Sequence, residues 1–310
     1  MILILGVTAS GKGAVAFELA RRIGGEIITI DSMKVYRRMD IGTAKPPLER
    51  RQAIRHHIID VIEPSDSFSV DQFLRHAEAA IGQITAAGKP VVAVGGTALY
   101  IKALLYGIFD GPPADFAIRK RLKAQMDAES TRALHARLAE VDPEAASRVH
   151  PNDARRIIRA LEVYELTGKP ISSFQTQFGA DTMRHDWTII GLRRPKPREN
   201  ARINRRAKRM IEEGLVDEVK ALLAEEKPLS KQAACAIGYA EIIQHLQGGL
   251  ALEQAIERIK VNSRRLAKAQ RTWFKTFHGV NWLDIEEQED APAVVERILA
   301  IVEKQNSMTD

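Results

Sequence analysis

The chain has 310 residues, 45% hydrophobic and 28% charged, with 46 Lys and Arg against 40 Asp and Glu for a net charge of +6. That is the balance of a soluble globular protein, long enough for one large domain or two small ones with a full core, and its charge is mild support for a polyanionic partner. The single cysteine, Cys235, excludes an internal disulfide and a cysteine-based zinc site, and no apolar run reaches the ~18 residues that would suggest a membrane span.

The chain opens on a short apolar strand, residues 2–5. A core strand so early leaves no room for a signal peptide, so the expected location is the reducing cytoplasm. Gly6-Val7-Thr8-Ala9-Ser10-Gly11-Lys12-Gly13 follows, and residues 14–23 read as a helix. A glycine-rich turn between strand and helix aims backbone N–H groups at one spot, where the helix N-terminus and Lys12 add positive charge. That spot suits a phosphate or diphosphate. The usual pattern ends in Lys-Ser/Thr, whose hydroxyl binds Mg²⁺. Gly13 stands there instead, so the anion cradle is kept and one metal ligand is lost.

Further strands are expected at 26–30, 57–61 and 91–94, with a helix at 70–87. Strands alternating with helices predict an α/β fold, a phosphate-loop parallel sheet flanked by helices. Asp31 and Ser32 follow the second strand directly. Ligands bind beyond the carboxyl ends of such strands, so Asp31 is expected near the phosphate loop. A carboxylate there can hold Mg²⁺ or accept a proton from a nucleophile, and it can equally be a turn aspartate. Gly95-Gly96-Thr97 follows the strand at 91–94; its glycines permit close approach of a ligand, and Thr97 either offers a hydroxyl to the same crevice or merely starts a helix. His56 and His57 are adjacent, point to opposite faces of a strand and cannot pair on one metal. His57 reads as a polar or core histidine.

Gly111-Pro112-Pro113 breaks the rhythm. Helices at 116–129, 131–140, 144–149 and 153–167 then predict an inserted all-helical domain, residues 113–184, between core segments 1–112 and 185–310. A strand at 186–192 returns the chain to the sheet. The remainder reads as helical to a frayed end at 306–310, apart from 280–283, whose state the pattern leaves open. Basic residues fall in clusters. Arg202, Arg205, Arg206 and Arg209 share one helix face, and Arg206 lies at its border with the packing face. Arg264, Lys268, Arg271 and Lys275 form a second face, and Arg155, Arg156 and Arg159 a third cluster. A charge run is usually a solvated face, but three clusters in a cationic chain favour a phosphate-rich partner.

Several of these stretches together resemble the tRNA dimethylallyltransferase (tRNA isopentenyltransferase) family. They are the phosphate loop, Asp31-Ser32-Met33-Lys34-Val35-Tyr36-Arg37, Asp40-Ile41-Gly42-Thr43-Ala44-Lys45-Pro46 and Gly95-Gly96-Thr97-Ala98-Leu99-Tyr100. His150-Pro151-Asn152-Asp153, Arg159-Ala160-Leu161-Glu162-Val163, Arg202-Ile203-Asn204-Arg205-Arg206, Ala236-Ile237-Gly238-Tyr239 and Leu266-Ala267-Lys268 continue the match. The resemblance implies transfer of a dimethylallyl group from its diphosphate to N6 of the adenosine 3′ of the anticodon, with Mg²⁺ bridging diphosphate oxygens. By the family's pattern Thr8, Ala9, Ser10, Gly11, Lys12 and Gly13 hold the diphosphate, while Asp31, Thr97 and Arg206 carry the chemistry: Asp31 as base and tentative Mg²⁺ ligand, Thr97 as hydrogen-bond partner, Arg206 with Lys12 as stabilisers of leaving-group charge. It also implies tRNA contacts at Asp31, Ser32, Met33, Lys34, Thr97, Arg119, Arg155, Arg156, Ile157, Ile158 and Arg159. The implied partners are a tRNA anticodon stem-loop and dimethylallyl diphosphate, with no membrane and no obligate protein partner; a monomer is the simplest expectation. Lys34 replaces a common glutamine, Ala98 a common glycine, and Cys235, Ala240 and Ala269 common polar or basic groups. The competing reading is an ATP-dependent kinase of a nucleoside or other small molecule, against which stand Gly13 and the large helical insertion. Prenylation of free adenine nucleotides and a non-catalytic RNA-binding protein are further alternatives, disfavoured by the cationic clusters and by Asp31 and Thr97 at one crevice.

Overall fold

The computed structural model describes residues 1–107, 111–174, 183–286 and 288–307. Two compact units emerge: Met1–Leu105 with Met183–Asp310, and Tyr106–Thr182. Part of the expected helical stretch, residues 175–179, and the chain end at 308–310 lie outside the described residues.

The first unit is built on β1 (Ile2–Gly6), α1 (Lys12–Ile23), β2 (Glu26–Ile30), α2 (Leu48–Ala53), β3 (His56–His57), α3 (Val70–Ala86), β4 (Val91–Gly95) and α4 (Ala98–Tyr106). The six-stranded sheet runs in the order β3-β2-β4-β1, then β5 (Thr188–Arg193) and β6 (Val280–Asp284). Its pairings are parallel, with Ile2 opposite Val92 on one side and Thr188 on the other. β1, β2 and β4 are buried along their whole length, which is why they read as unbroken apolar runs: helices cover both faces of the sheet. Ile4, Ala16, Leu19, Val92, Ile190 and Ile298 belong to one core cluster on the sheet. Among the described residues no helix is long and apolar enough to cross a membrane.

The strand expected at 57–61 stops after His57. Ile58 and Asp60 take positive φ angles of 63° and 55°, which a strand cannot accommodate. His57 is buried and meets the Glu26 carboxylate at 2.7 Å, the polar core role expected of it. The open segment at 280–283 is β6, an edge strand beside β5.

The second unit holds α5 (Phe116–Ala128), α6 (Thr131–Val141), α7 (Pro143–Arg148) and α8 (Ala154–Thr167). Asp115, Ser130, Asp142 and Asp153 cap these four N-termini by accepting backbone N–H bonds. Leu122, Leu134, Leu138, Ile157 and Leu161 form its core. Within it, fully buried Glu162 accepts two hydrogen bonds from Arg119 (2.8 and 3.0 Å), one from Arg159 (2.6 Å) and one from the Asp115 N–H (2.7 Å).

The remaining helices of the first unit are α9 (Lys196–Glu212), α10 (Leu215–Leu223), α11 (Lys231–Ala234), α12 (Tyr239–Leu246), α13 (Leu252–Phe274) and α14 (Ala291–Asn306).

Candidate active site

The loops leaving β1, β2 and β4 all emerge at the carboxyl end of the sheet, where open α/β sheets bind ligands. With α9 and α13 they enclose a cavity of about 1100 Å³. Thr8, Ala9, Gly11, Lys12 and Gly13 line it, as do Asp31, Ser32, Met33, Lys34, Thr97 and Arg206. The phosphate-loop residues and the three chemistry-bearing residues expected from the sequence therefore share one space. Ser10 differs: it is 1% exposed, beneath the loop. Its Oγ would lie 2.7 Å from a Cβ at Gly6, so its hydroxyl is part of the loop's packing.

The phosphate loop is preformed. Ala9 and Gly11 have φ of 62° and 99°, and this left-handed pair turns the chain into the N-terminus of α1. Three cationic or amide side chains brace it from outside. Arg202 Nε donates to the Ala9 carbonyl at 2.8 Å, Arg194 Nε donates to the Ser10 carbonyl at 3.0 Å, and the Thr8 N–H donates to Gln270 Oε1 at 2.8 Å. Arg206 Nη1 donates to Thr8 Oγ1 at 3.2 Å, so the arginine at the border of the basic stripe does reach inward. Lys12 Nζ donates to the Val7 carbonyl at 3.1 Å. Burial, reinforced by the charge of Lys34, brings the Lys12 ammonium down to about 7 against the opposing pull of Asp31. Burial likewise lowers Arg206 and Lys34, each partly restored by Asp31. Burial holds these cations below their usual range, and neither Arg206 nor Lys12 has an ion-pair partner among the described residues, an arrangement that an anion would relieve.

Asp31 ends β2. Its Oδ1 accepts the Met33 and Lys34 N–H groups at 2.9 and 3.3 Å, which fixes the carboxylate as in an Asx turn. The turn role expected as one alternative is present, and it leaves Oδ2 without a hydrogen bond among the described residues. Thr97 precedes α4, but its Oγ1 accepts the Ser32 N–H at 3.1 Å and thereby ties the β4 loop to the Asp31 loop. Gly95 and Gly96 have a packing reason different from the ligand approach expected of them. A Cβ at Gly95 would lie 2.0 Å from the Ile30 carbonyl oxygen, and one at Gly96 2.6 Å from Gln270 Nε2.

The motif at 40–46 forms the far wall. Glu218 of α10 accepts the N–H groups of Asp40, Ile41 and Gly42 at 2.9, 2.8 and 3.2 Å, and the Tyr239 hydroxyl at 2.6 Å. The segments around residues 40–46 and 236–239 are joined through that carboxylate. Lys45 lies beneath, donating to the Tyr36 carbonyl, Asp40 and Asp60.

Among the described residues no group of three His, Cys, Asp or Glu side chains could hold a metal ion. Asp31 offers one carboxylate, Gly13 has no hydroxyl and Ser10 is packed away. That donor set fits a hard cation held chiefly by substrate phosphate oxygens, with one protein carboxylate. A Cβ at Gly13 meets nothing within 4 Å, so the missing hydroxyl is not a steric requirement.

The residues expected to touch RNA in the helical unit divide. Arg155 and Arg156 are exposed on α8, Arg156 beside Asp153 at 3.3 Å. Arg119 and Arg159 are bound to Glu162, and Arg159 also donates to the Pro112 carbonyl at 2.7 Å. Ile157 is fully buried in the core of this unit and Ile158 packs on the same cluster, so the side chain of Ile157 is not available to a ligand in this structure. In α13, Arg271 pairs with buried Glu199 and Arg264 donates to Asn204, so that cationic face is partly internal. Gln270 and Arg194 were not anticipated as site residues. A glutamine at a core position between Ala267 and Phe274, and a double arginine at the end of β5, Arg193-Arg194, are the signals that point to them.

The IPP transferase family model matches residues 34–277. A tRNA dimethylallyltransferase of Geobacter metallireducens is 45% identical over 92% of both chains, and that of Geobacillus thermodenitrificans 42% identical over 97% of this chain and 96% of the relative. Among solved structures, the tRNA isopentenylpyrophosphate transferase of Bacillus halodurans is 38% identical with a TM-score of 0.71, covering 99% of this chain and 98% of its own. A eukaryotic dimethylallyltransferase acting on tRNA is 30% identical with a TM-score of 0.83, covering 99% of this chain and 79% of its own. By sequence and by fold, the chain belongs to the IPP transferase family.

Proposed function

We infer that the protein is a tRNA dimethylallyltransferase, transferring a dimethylallyl group from dimethylallyl diphosphate to N6 of the adenosine 3′ of the anticodon. The observation that carries this reading is one cavity holding both a phosphate loop that lacks the hydroxyl after its lysine and a carboxylate fixed at the next strand end. The same architecture could serve a kinase, but the family to which the chain belongs transfers a prenyl group.

In this reading the phosphate loop, Lys12 and Arg206 grip the diphosphate. Negative charge grows on the leaving oxygen as the allylic C–O bond breaks, and cations fixed beside it stabilise that charge. The adenosine leaves its stack to reach the cavity, at a cost of a few kcal/mol. Its N6 forms the new C–N bond, the proton on N6 passes to Asp31, and diphosphate departs with the bonding electrons of the broken C–O bond. Thr97 and Ser32 keep the Asp31 loop in register. Ile203, Met210, Leu266 and Trp273 give the cavity apolar wall for the prenyl group. Mg²⁺, when bound, neutralises diphosphate oxygens, and Asp31 is the residue that would hold it. Arg155 and Arg156 give the helical unit an exposed cationic edge for the tRNA backbone, and Arg119 and Arg159 add charge from beside Glu162. A cytoplasmic location suits an enzyme of this substrate.

The test is to incubate the protein with unmodified tRNA and either dimethylallyl diphosphate labelled in the prenyl group or γ-labelled ATP. Label in RNA from the first donor alone is expected. Label from ATP, or none from the prenyl donor, would refute the reading.

A further inference from the structure

Gln270 lies on α13 between the core residues Ala267 and Phe274 and is 8% exposed. Both ends of its amide are engaged. Oε1 accepts the Thr8 N–H at 2.8 Å, and Nε2 donates to the Gly96 carbonyl at 2.9 Å. Thr8 belongs to the phosphate loop and also takes Arg206 at its hydroxyl. Gly96 precedes Thr97, whose hydroxyl holds the Ser32 N–H beside Asp31. One side chain thus joins the loop of the leaving group to the loop of the acceptor. The requirement is specific: Glu lacks the donor, Met lacks both functions, and Asn is a methylene short.

We propose that Gln270 is a positioning residue for prenyl transfer. It sets the distance between the diphosphate loop and the Thr97–Asp31 loop, and so the approach of N6 to the allylic carbon. This rests on the transferase reading above. A misplacement of about 1 Å between reacting centres costs on the order of 10² in rate. Each half-site remains able to bind its own ligand when the link is cut, so turnover falls while the Michaelis constants stay nearly unchanged.

The experiment compares prenyl transfer by wild type, Gln270→Met, Gln270→Glu, Thr97→Ala and the Gln270→Met/Thr97→Ala pair. Gln270→Met is expected to lower kcat by roughly 30- to 100-fold, with both Michaelis constants within about threefold of wild type. The double variant is expected to be no more than about threefold slower than the slower single one, because both act through one link. Additive losses, an effect confined to the Michaelis constants, or a kcat within threefold of wild type would overturn the proposal. If Gln270→Met does not fold, Gln270→Glu serves in the same comparison: it preserves size and the bond from Thr8, removes the bond to Gly96, and must still lower kcat. An active wild type with unaffected Gln270 variants defeats this inference alone; an inactive wild type defeats the transferase reading and the inference with it.

Discussion

Arg206 and Arg119 are both partly exposed arginines in basic stretches, yet their surroundings differ. Arg206 faces the phosphate loop through a threonine hydroxyl and feels Asp31 only at longer range, so its charge stays available to a ligand. Arg119 is held by two hydrogen bonds to a buried carboxylate that also takes Arg159. Arg206 and Lys12 beside the sheet have no ion-pair partner among the described residues, whereas Arg119 and Arg159 in the helical unit are both paired with Glu162. Clustering of basic residues in a sequence therefore identifies neither group: what separates them is the nearest carboxylate.

Arg206→Gln should break the first arrangement most severely. Loss of one charged donor to a leaving group lowers kcat by about 10²–10³, whereas Arg119→Gln should leave kcat within a few-fold; steady-state transfer assays compare the two. Glu162→Ala attacks the second arrangement. It removes the acceptor of the Asp115 N–H and the carboxylate that pairs Arg119 and Arg159, and denaturant unfolding should register a loss of about 2–3 kcal/mol. Burial pushes the Glu162 carboxyl up, but its bonds from Arg119, Arg159 and the Asp115 N–H outweigh this and hold it below the usual range. Its stabilisation is therefore complete above the unfolded carboxyl pKa and lost as pH falls through the lower folded value, so the gap between wild type and Glu162→Ala should narrow in acid.

Lys12 sharpens the comparison through pH. With its ammonium near 7 in the free protein, rising pH removes the charge that the diphosphate needs. Affinity for inorganic diphosphate should weaken by up to about tenfold per pH unit above that value, measured calorimetrically, and Lys12→Arg should flatten the slope. The smallest effect falls on the exposed arginines. Arg155→Gln with Arg156→Gln should raise the Michaelis constant for tRNA a few-fold and reduce the salt slope of binding by roughly 1–2.

The centre of the sheet was legible because β1, β2 and β4 are buried apolar runs: β2 matches the expected span and β1 and β4 gain one residue each. α2, with the sequence LERRQA and no buried residue, carries no periodic signal and was not anticipated. The place of Asp31 beside the phosphate loop was legible because the carboxyl ends of parallel strands converge on one side of the sheet. Gln270 was not, because its partner Thr8 lies 262 residues away and no spacing encodes that bond. Arg159 lies in between. Its ion-pair partner Glu162 is three residues on and visible in the sequence, but the second claimant, Arg119, is 43 residues distant.

The most direct test is single-turnover transfer by Asp31→Ala with tRNA and dimethylallyl diphosphate both bound beforehand. The geometry predicts a rate at least ~10² below wild type that saturating dimethylallyl diphosphate and Mg²⁺ do not restore, since the carboxylate acts on the acceptor amine. A wild-type rate, or a loss that saturating diphosphate restores, would contradict it.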